Sequence, residues 1–393
     1  MNQVELCPMA RGVSAIRALT VLSILCITAL MLQACGAPSY KGVVKVGVAV
    51  PLSGDLADGG DSVEKGARLA AERLNKQGGL LGYKIEVVSK DDQADDDAAM
   101  QAADELVSEG VKMVVGHYNS GQSIPTSPVY NRAKVIMITP TSSNPQLTRQ
   151  NLPYVFRVNP TDEAQGPQLA RFAVQKLGKK RIAIMHDESD YAKGLAAEFT
   201  KAAQALGVTP VLTILAPSGR DQYSDVLQKV KDSNPDLVFG ALDYPAAEVV
   251  LLNKKDMGMS NDWLFGDAVF QYEVILTTGS ASEGVYISSF SPSIRGLDRQ
   301  DAKDFVKEYR ELFNRNPGPD SVPGALALEV WARAVKAANS FNADAVAAAI
   351  KKLQFSAPIT NIPIAYDSKG DLVNPVIYIS QVKDGQFVAV DTK

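Results

Sequence analysis

Cysteine is absent from the sequence beyond residue 35. The chain contains three cysteines, Cys7, Cys26 and Cys35, and all of them lie in its first 35 residues. Because the body has no thiol to oxidise, an exported form needs no disulfide and must be stabilised by burial of a core. The body is longer than the roughly 250–300 residues at which a single core stops growing, so we expect two lobes.

Two further absences narrow the class of partner. Positive charge is not in excess, because 40 Lys and Arg stand against 44 Asp and Glu, a formal net charge of −4. The chain therefore lacks the basic stripe that nucleic-acid binding requires. No second run of about 18 apolar residues follows the first 35 residues, so no further membrane span is expected.

Enzyme signatures are also missing. The sequence has no Gly-x-Ser-x-Gly elbow, Walker A loop, His-Glu-x-x-His or Cys-x-x-Cys pair. His117 and His186 are the two histidines, and neither has a cysteine or a second histidine nearby, which favours a structural or rim position over a metal ligand. The acidic run 91–97 lacks the spacing of a calcium loop and is interpreted as helix capping. We therefore expect a protein that is not an enzyme, with no metal and no cofactor.

The N-terminal segment has the layout of a secretory signal. Arg11 and Arg17 precede an apolar run over residues 18–32, and Ala34 supplies a small residue at its end. The apolar run is shorter than the roughly 20 residues of a transmembrane helix. A signal peptide over residues 1–34 is predicted, and an uncleaved N-terminal anchor is the alternative.

Cys35 refines that prediction. Leu32-Gln33-Ala34-Cys35 resembles the lipobox of bacterial lipoproteins, in which the cysteine is lipidated and becomes the mature N-terminus. This resemblance implies a lipid on Cys35, followed by a polar tether over residues 35–41. It also implies an exported protein anchored to the membrane at its periplasmic face.

The body alternates strand and helix signals. Apolar, β-branched strands are predicted at Val43–Leu52, Lys84–Ser89, Lys112–His117, Val135–Thr139, Arg181–His186, Val211–Ala216, Leu237–Leu242, Trp263–Phe265 and Val285–Ser291. Helical spacing separates most of them and continues in three helices over residues 301–352. The rhythm restarts near residue 162, which predicts two doubly wound α/β lobes with parallel sheets. Open sheets of this kind bind ligands at the carboxyl ends of their strands.

Two loops at such strand ends carry polar side chains. Residues 116–123 lie between a predicted strand and a helix, and the helix start with the Ser120 hydroxyl offers N–H and O–H donors to a carboxylate. Residues 139–145 follow the next strand and bring three more hydroxyls. Two N-caps and a turn would use the same residues, so composition alone leaves both interpretations open.

A family resemblance favours the ligand-binding interpretation. The sequence resembles the leucine/isoleucine/valine-binding protein family most densely between Lys45 and Gly207. The similar segments are Val46–Gly54, Gly66-Ala67, Asn75–Leu80, Asp91-Asp92, Gly116-His117, Ile138–Thr141, Phe156-Arg157, Asp162-x-x-x-Gln165-Gly166, Arg181–Asp187, Tyr191-x-x-Gly194-Leu195 and Tyr366–Leu372.

This resemblance implies a type I periplasmic-binding-protein fold, with two lobes joined by three hinge crossings. The expected boundaries are 42–161 plus 290–358 for lobe 1 and 162–289 plus 359–393 for lobe 2. The implied function is capture of an amino acid, branched-chain or related, or of a similar small polar solute, for an ABC permease. The protein is expected to be monomeric. An amide or amino-acid sensor or receptor domain of the same fold is the alternative.

The resemblance also implies a binding site. Ser120 matches the position that donates to the ligand carboxylate, Thr141 and Ser143 match loop positions around the head group, and Tyr191 matches the tyrosine that closes over the ligand. Asp267 matches the acidic partner of the α-ammonium. The expected ligand-binding set is Ser120, Gly121, Thr141, Ser142, Ser143, Tyr191, Asp243 and Asp267.

The side-chain pocket departs from the family pattern. Gly59 stands where an aromatic residue often lines the pocket, and Asp243 with Tyr244 stands where an aromatic residue is frequent. Asn119 and Ala94 stand where one subgroup has a disulfide. A polar or amide ligand is therefore compatible with the sequence, and branched-chain selectivity does not follow from it.

Overall fold

The computed structural model describes residue 1 and residues 39–390. The predicted signal peptide, Cys35 and most of the tether lie outside these residues. No helix within the described part of the chain is long and apolar enough to cross a membrane.

Lobe 1 is built on a five-stranded parallel sheet with the order β2-β1-β3-β4-β5. Its buried strands are short and rich in Val, Ile and Met, as expected for a sheet covered on both faces. Its elements are β1 Val43–Val50, α1 Ala57–Lys76, β2 Lys84–Asp91, α2 Asp96–Ser108, β3 Met113–Gly116, α3 Ser120–Arg132, β4 Ile136–Thr139, α4 Gln146–Arg149 and β5 Val155–Arg157.

Lobe 2 begins directly after the first crossing. Its elements are α5 Asp162–Arg171, β6 Ile182–His186, α6 Asp190–Ala205, β7 Leu212–Leu215, α7 Ser224–Asp232, β8 Leu237–Ala241, α8 Tyr244–Asp256, β9 Asp262–Phe265, α9 Tyr272–Thr278 and β10 Tyr286–Ser289. A π-helical turn, Phe172–Lys176, extends α5. The two lobes have separate cores, with Trp331 buried in one and Trp263 in the other.

The chain then returns to lobe 1 and crosses back once more. The returning elements are α10 Gln300–Phe313, α11 Ser321–Ala338, α12 Ala343–Ile350, β11 Gln354–Ser356 and β12 Pro363–Ala365, followed in lobe 2 by β13 Tyr378–Lys383 and β14 Gln386–Ala389. The second sheet has the order β14-β13-β10-β9-β8-β6-β7, parallel from β10 to β7 and antiparallel at β13 and β14. The predicted α/β class with two lobes and three crossings is confirmed.

The third crossing lies later than predicted. Residues 359–372 were assigned to lobe 2, but β12 pairs with β11 in antiparallel register, and Ile362, Ile364 and Leu372 are buried in the lobe 1 core. The apolar residues at 362 and 364 alternate as in a strand that has one face on a core. The chain therefore leaves lobe 1 only after residue 372.

Helix α1 begins at Ala57, soon after the end of β1. Its first turn contains Gly60, where an added Cβ would lie 1.7 Å from the carbonyl oxygen of Pro51. Only glycine permits this approach of the helix to the loop after β1. The loop and the helix start are thereby held against the edge of the sheet that faces lobe 2.

Candidate binding cleft between the lobes

A polar cavity lies between the lobes at the carboxyl ends of both sheets. Lobe 1 contributes residues 118–120 after β3, 140–142 after β4, and Pro319, Asp320 and Pro323 at the start of α11. Lobe 2 contributes Tyr191, Asp243, the 267–271 segment and residues 289–291. The cavity volume is about 50 Å³, so the cleft between the lobes is narrow. Its position matches the ligand site expected for open α/β sheets.

The start of α3 lies at this cavity, which Asn119 and Ser120 line. Asn119 is the N-cap residue but its side chain makes no capping bond, and among the described residues its buried Oδ1 has no hydrogen-bond partner. The backbone N–H groups of such a first turn have no intrahelical acceptor and favour an anion. Ser120 Oγ accepts a hydrogen bond from Asn144 N–H at 3.2 Å, which leaves the hydroxyl proton of Ser120 free to be donated.

The neighbouring hydroxyls hold the loop rather than reach for a ligand. Thr141 Oγ1 donates to the Tyr118 carbonyl at 2.6 Å, and Thr139 Oγ1 donates to the His117 carbonyl at 2.8 Å. Ser142 Oγ lies 2.7 Å from Ser123 Oγ and 3.1 Å from the Tyr118 carbonyl. These bonds fix the backbone that leads into α3.

His117 belongs to the support of this loop. It is fully buried, its Nδ1 lies 2.7 Å from Asp92 Oδ2 and its Nε2 lies 3.0 Å from the Tyr130 hydroxyl. The predicted structural role of this histidine is confirmed. The capping role predicted for the acidic run is also confirmed, because Asp95 accepts from the N–H groups of Asp97 and Ala98 at the start of α2.

A buried arginine supports the second loop from below. Arg157 is fully buried and donates to the carbonyl oxygens of Ser142 and Asn144 at 2.7 and 3.1 Å. Its Nε lies 2.6 Å from Asp371 Oδ1, so the segment before the third crossing is tied to the floor of the cleft. A buried charge of this kind requires such a partner.

Lobe 2 presents Asp267 in a short 3₁₀ turn after β9. Its Oδ1 accepts from Gln165 Nε2 at 2.8 Å and from the Tyr191 hydroxyl at 3.1 Å. These two bonds orient the carboxylate through one oxygen, and the described residues provide no bond to the other. Burial raises the pKa of Asp267 to about 7, and the neighbouring Asp320 acts in the same direction.

Asp243 is a second carboxylate on the same wall. Its N–H donates to Asp187 Oδ2 at 3.1 Å, but among the described residues its own carboxylate has no hydrogen-bond or ion-pair partner. Burial raises the pKa of Asp243 to about 8, and the charges of Asp187 and Asp267 add to the effect. A carboxylate in this position stabilises any cation that enters the cavity.

A third carboxylate in the cavity, that of Asp320, comes from lobe 1 and was not among the predicted binding residues. Its Oδ2 accepts from the Tyr118 hydroxyl at 3.0 Å and from Gln271 Nε2 of lobe 2 at 2.6 Å. Burial raises the pKa of Asp320 to about 6. Tyr118 was also missed: an added Cβ on Gly59 would lie 2.5 Å from its hydroxyl, so Tyr118 occupies the space beside that glycine. The sequence feature that could have indicated Asp320 is its position between Pro319 and the start of α11.

Other bonds join the lobes at the rim. The Tyr244 hydroxyl of lobe 2 donates to the Asp55 carbonyl of lobe 1 at 2.7 Å, and Asn144 Nδ2 donates to the Asp190 carbonyl at 2.8 Å. With the Gln271–Asp320 bond, these contacts identify a closed arrangement of the lobes.

Most of the expected binding set meets in this cavity. The residues that line it are Ser120, Thr141, Ser142, Tyr191, Asp243 and Asp267. Gly121 and Ser143 do not line it, and Ser143 is fully buried. Within residues 39–390, no group of three or more His, Cys, Asp or Glu side chains is placed to hold a metal ion.

Comparisons with known proteins agree with this geometry. The family described as "Periplasmic binding protein" matches residues 43–386. The chain is 31% identical over 330 residues to Leu/Ile/Val-binding protein homolog 1 of Brucella suis, covering 84% of this chain and 87% of that protein. A solved leucine-binding protein from Thermotoga maritima superposes with a TM-score of 0.81 at 28% identity, covering 88% and 98% of the two chains.

A second solved structure was determined with its ligand. The branched-chain amino acid transporter substrate binding protein of Streptococcus pneumoniae, in complex with isoleucine, superposes with a TM-score of 0.80 at 25% identity and covers 88% and 99% of the two chains. The family match spans most of the chain, and the fold and the position of the cleft agree with it. The chain therefore belongs to the leucine/isoleucine/valine-binding protein family of type I periplasmic binding proteins.

Proposed function

We propose that this protein captures an amino acid or a similar small zwitterion in the cleft between its lobes and delivers it to an ABC importer. One observation carries the proposal: the cavity has hydrogen-bond donors on its lobe 1 side and an oriented carboxylate on its lobe 2 side. A zwitterion is complementary to this arrangement, because its anionic end can accept from the donors and its cationic end can pair with the carboxylate.

Each end of the ligand has a partner in this proposal. The ligand carboxylate accepts from the first-turn N–H groups of α3, including that of Gly121, and from the Ser120 hydroxyl. The α-ammonium pairs with Asp267, which Gln165 and Tyr191 hold in position. Thr141 and Ser142 shape the wall through the loop they stabilise, and Ser143 lies behind that wall with a buried hydroxyl.

Ligand capture and closure are coupled. The ligand partners come from both lobes, so a bound ligand adds contacts that exist only when the lobes are closed. It therefore shifts the population toward the closed form, in which the Tyr244–Asp55 and Asn144–Asp190 bonds are made. The closed form is the one presented to the permease.

The location proposed for the protein rests on the N-terminal sequence. We expect cleavage after Ala34, lipidation of Cys35 and attachment of a monomer to the membrane at its periplasmic face. Each buried CH₂ contributes about 0.8 kcal/mol, so two or more acyl chains hold the protein firmly. Mass spectrometry of the mature N-terminus tests this, with Cys35→Ser as the variant that cannot be lipidated; an unmodified N-terminus on the wild-type protein contradicts it.

Binding is tested by thermal shift with free amino acids and small amides. A ligand at about 100 times its Kd adds roughly 2.7 kcal/mol to the free energy of unfolding. Mass spectrometry of small molecules released from the purified protein identifies any ligand retained from the cell. If no compound of these classes raises the melting temperature, the proposed function is wrong. Turnover of a candidate amide by the same protein contradicts a role limited to binding.

A further inference from the structure

The inter-lobe cavity contains more carboxyl groups than a neutral amino acid can pair with. Asp243, Asp267 and Asp320 all line it. Within the described residues, its lining includes no Lys, Arg or His. The α-ammonium of a zwitterion pairs with one carboxylate, and its α-carboxylate goes to the donors of lobe 1. Two buried carboxyl groups then remain without a cationic partner, and each must either take up a proton or stay charged at a cost in free energy.

Asp243 and Asp320, the two remaining carboxylates, still have oxygens without a hydrogen bond among the described residues. Asp243 has no side-chain partner among the described residues, although it is the N-cap residue of α8. Asp320 uses one oxygen, Oδ2, for both Tyr118 and Gln271, and no bond to its other oxygen is found in the described structure. Both are therefore open acceptors for a donor group on the ligand.

The carboxylates surround the cavity instead of converging on one point. No three of them are placed to share a metal ion within the described residues. They also come from different elements: Asp267 follows β9, Asp243 precedes α8 and Asp320 precedes α11. Separated carboxylates suit an organic cation with charges at two places more than a single inorganic ion.

We propose that the ligand is an amino acid whose side chain ends in a second positive charge, an ammonium or a guanidinium, which Asp243 and Asp320 receive. This inference rests on the proposed function, because it takes the α-ammonium to occupy Asp267. Asp243 belongs to lobe 2 and Asp320 to lobe 1, so a side-chain cation between them adds an attraction across the cleft. Closure then depends on the charge of the side chain as well as on the head group.

Two pairs of compounds of matched shape test the proposal by isothermal titration calorimetry on the purified full chain. Arginine is compared with citrulline, whose ureido group is uncharged, and ornithine with norleucine, in which a methyl group replaces the ammonium. We expect each cation to bind at least about tenfold more tightly than its neutral partner.

The variants Asp243→Asn and Asp320→Asn keep the size of the side chain and remove its charge. Each is expected to reduce the preference for the cation by about tenfold or more and to leave citrulline and norleucine binding within a fewfold of wild type. Asp232→Asn removes an exposed carboxylate from lobe 2 and is the matched control; it keeps the wild-type preference. Melting temperatures confirm that each variant is folded, and if only one of the two folds, that variant decides the test.

Two results overturn the inference while the proposed function survives. One is that citrulline, norleucine or leucine binds as tightly as the cations. The other is that both folded cleft variants keep the wild-type preference. If neither the cations nor the neutral amino acids bind, the proposed function fails together with the inference.

Discussion

The two walls of the cleft are built in opposite ways. On the lobe 1 wall, hydroxyls are paired with backbone carbonyls, as Thr141 is with Tyr118, and a buried arginine holds the 142–144 loop. On the lobe 2 wall, the described part of the chain offers the Asp243 carboxylate no hydrogen-bond partner and bonds Asp267 through one oxygen. The lobe 1 wall is therefore held in place by its own hydrogen bonds. The lobe 2 wall presents buried carboxylates, which a bound cation would stabilise.

The two walls can therefore contribute differently to binding, one to recognition of the anionic group and the other to specificity. A rigid arrangement of N–H and O–H donors binds an anionic group with little reorganisation, because the donors are already oriented. Uncompensated carboxylates penalise an empty or wrongly filled closed cleft and so contribute to specificity. Substitutions on lobe 2 are accordingly expected to change affinity and pH dependence more than substitutions on lobe 1.

The largest effect is expected from Asp267→Ala. Removing one member of a buried, hydrogen-bonded charge pair leaves the ligand ammonium unpaired, at a cost of about 2–5 kcal/mol in binding. Asp267→Asn recovers only part of the loss, because the amide offers no negative charge. Calorimetry with the identified ligand measures both.

Asp232→Asn, on the exposed surface of α7, is the control and is expected to bind like wild type. Equal affinities for wild type and Asp267→Ala would place the ammonium elsewhere, with Asp243 the next candidate.

A smaller loss is expected on the lobe 1 wall. Ser120→Ala removes a hydroxyl whose proton has no acceptor among the described residues and should weaken binding by about 1–3 kcal/mol, with little change in stability. Ser143→Ala tests the hydroxyl behind the wall and is expected to cost less than Asp267→Ala. Ser127→Ala in the same helix α3 removes a bond to the Ile124 carbonyl away from the cleft and is the control. An unchanged affinity in Ser120→Ala would assign carboxylate binding to the backbone N–H groups alone.

The same contrast explains which parts of the molecule were predictable from the sequence. The lobe 1 strands and the Ser120 loop follow from local signals: short β-branched runs, then a polar turn and a helix start. Asp320 was missed because its role depends on Gln271 and Tyr118, which are distant in sequence and meet it only when the lobes fold and close. The third crossing was misplaced for a related reason, since the three-residue strands β11 and β12 give too short a pattern to reveal their pairing.

The departures noted at Gly59 and Asp243 both lie at or beside the cleft. Sequence alone could not show that Tyr118 fills the space beside Gly59, because this contact joins the loop after β3 to the first turn of α1. Nor could it show that Asp243 lacks a partner, since that statement requires every neighbour to be placed.

In the closed arrangement, the buried carboxyls of lobe 2 predict a pH-dependent stability of the ligand-free protein. Burial and the charges of Asp187 and Asp267 raise the pKa of Asp243 to about 8, and Tyr118 and Tyr191 also face this carboxyl. The folded state then binds more protons than the unfolded state between about pH 4 and pH 8. The contribution of Asp243 to the free energy of unfolding is therefore complete below about pH 4 and is lost as pH rises toward 8.

Asp243→Asn should accordingly raise the free energy of unfolding at pH 8 by about 1–2 kcal/mol and change it little at pH 5. Denaturant unfolding at the two pH values measures this. The slope with pH is reduced but not abolished, because Asp267 and Asp320 titrate in the same range. A variant less stable than wild type at pH 8 would show that the Asp243 carboxylate is compensated in the empty cleft.

The smallest effect is expected where the two walls meet at the rim. Tyr244→Phe removes the hydroxyl that donates across the cleft to the Asp55 carbonyl, a net loss of about 0.5–1.5 kcal/mol that falls only on the closed form. Ligand affinity should therefore drop by a fewfold, while the stability of the ligand-free protein changes little if its lobes are open. Tyr223→Phe is the matched control: its hydroxyl donates to the Pro217 carbonyl within lobe 2, so its loss should lower the melting temperature without changing affinity. Calorimetry and thermal unfolding of the two variants separate a bond that stabilises closure from one that stabilises a lobe. If Tyr244→Phe loses stability but keeps its affinity, the bond at the rim forms in the open protein as well, and closure depends on the carboxylates alone.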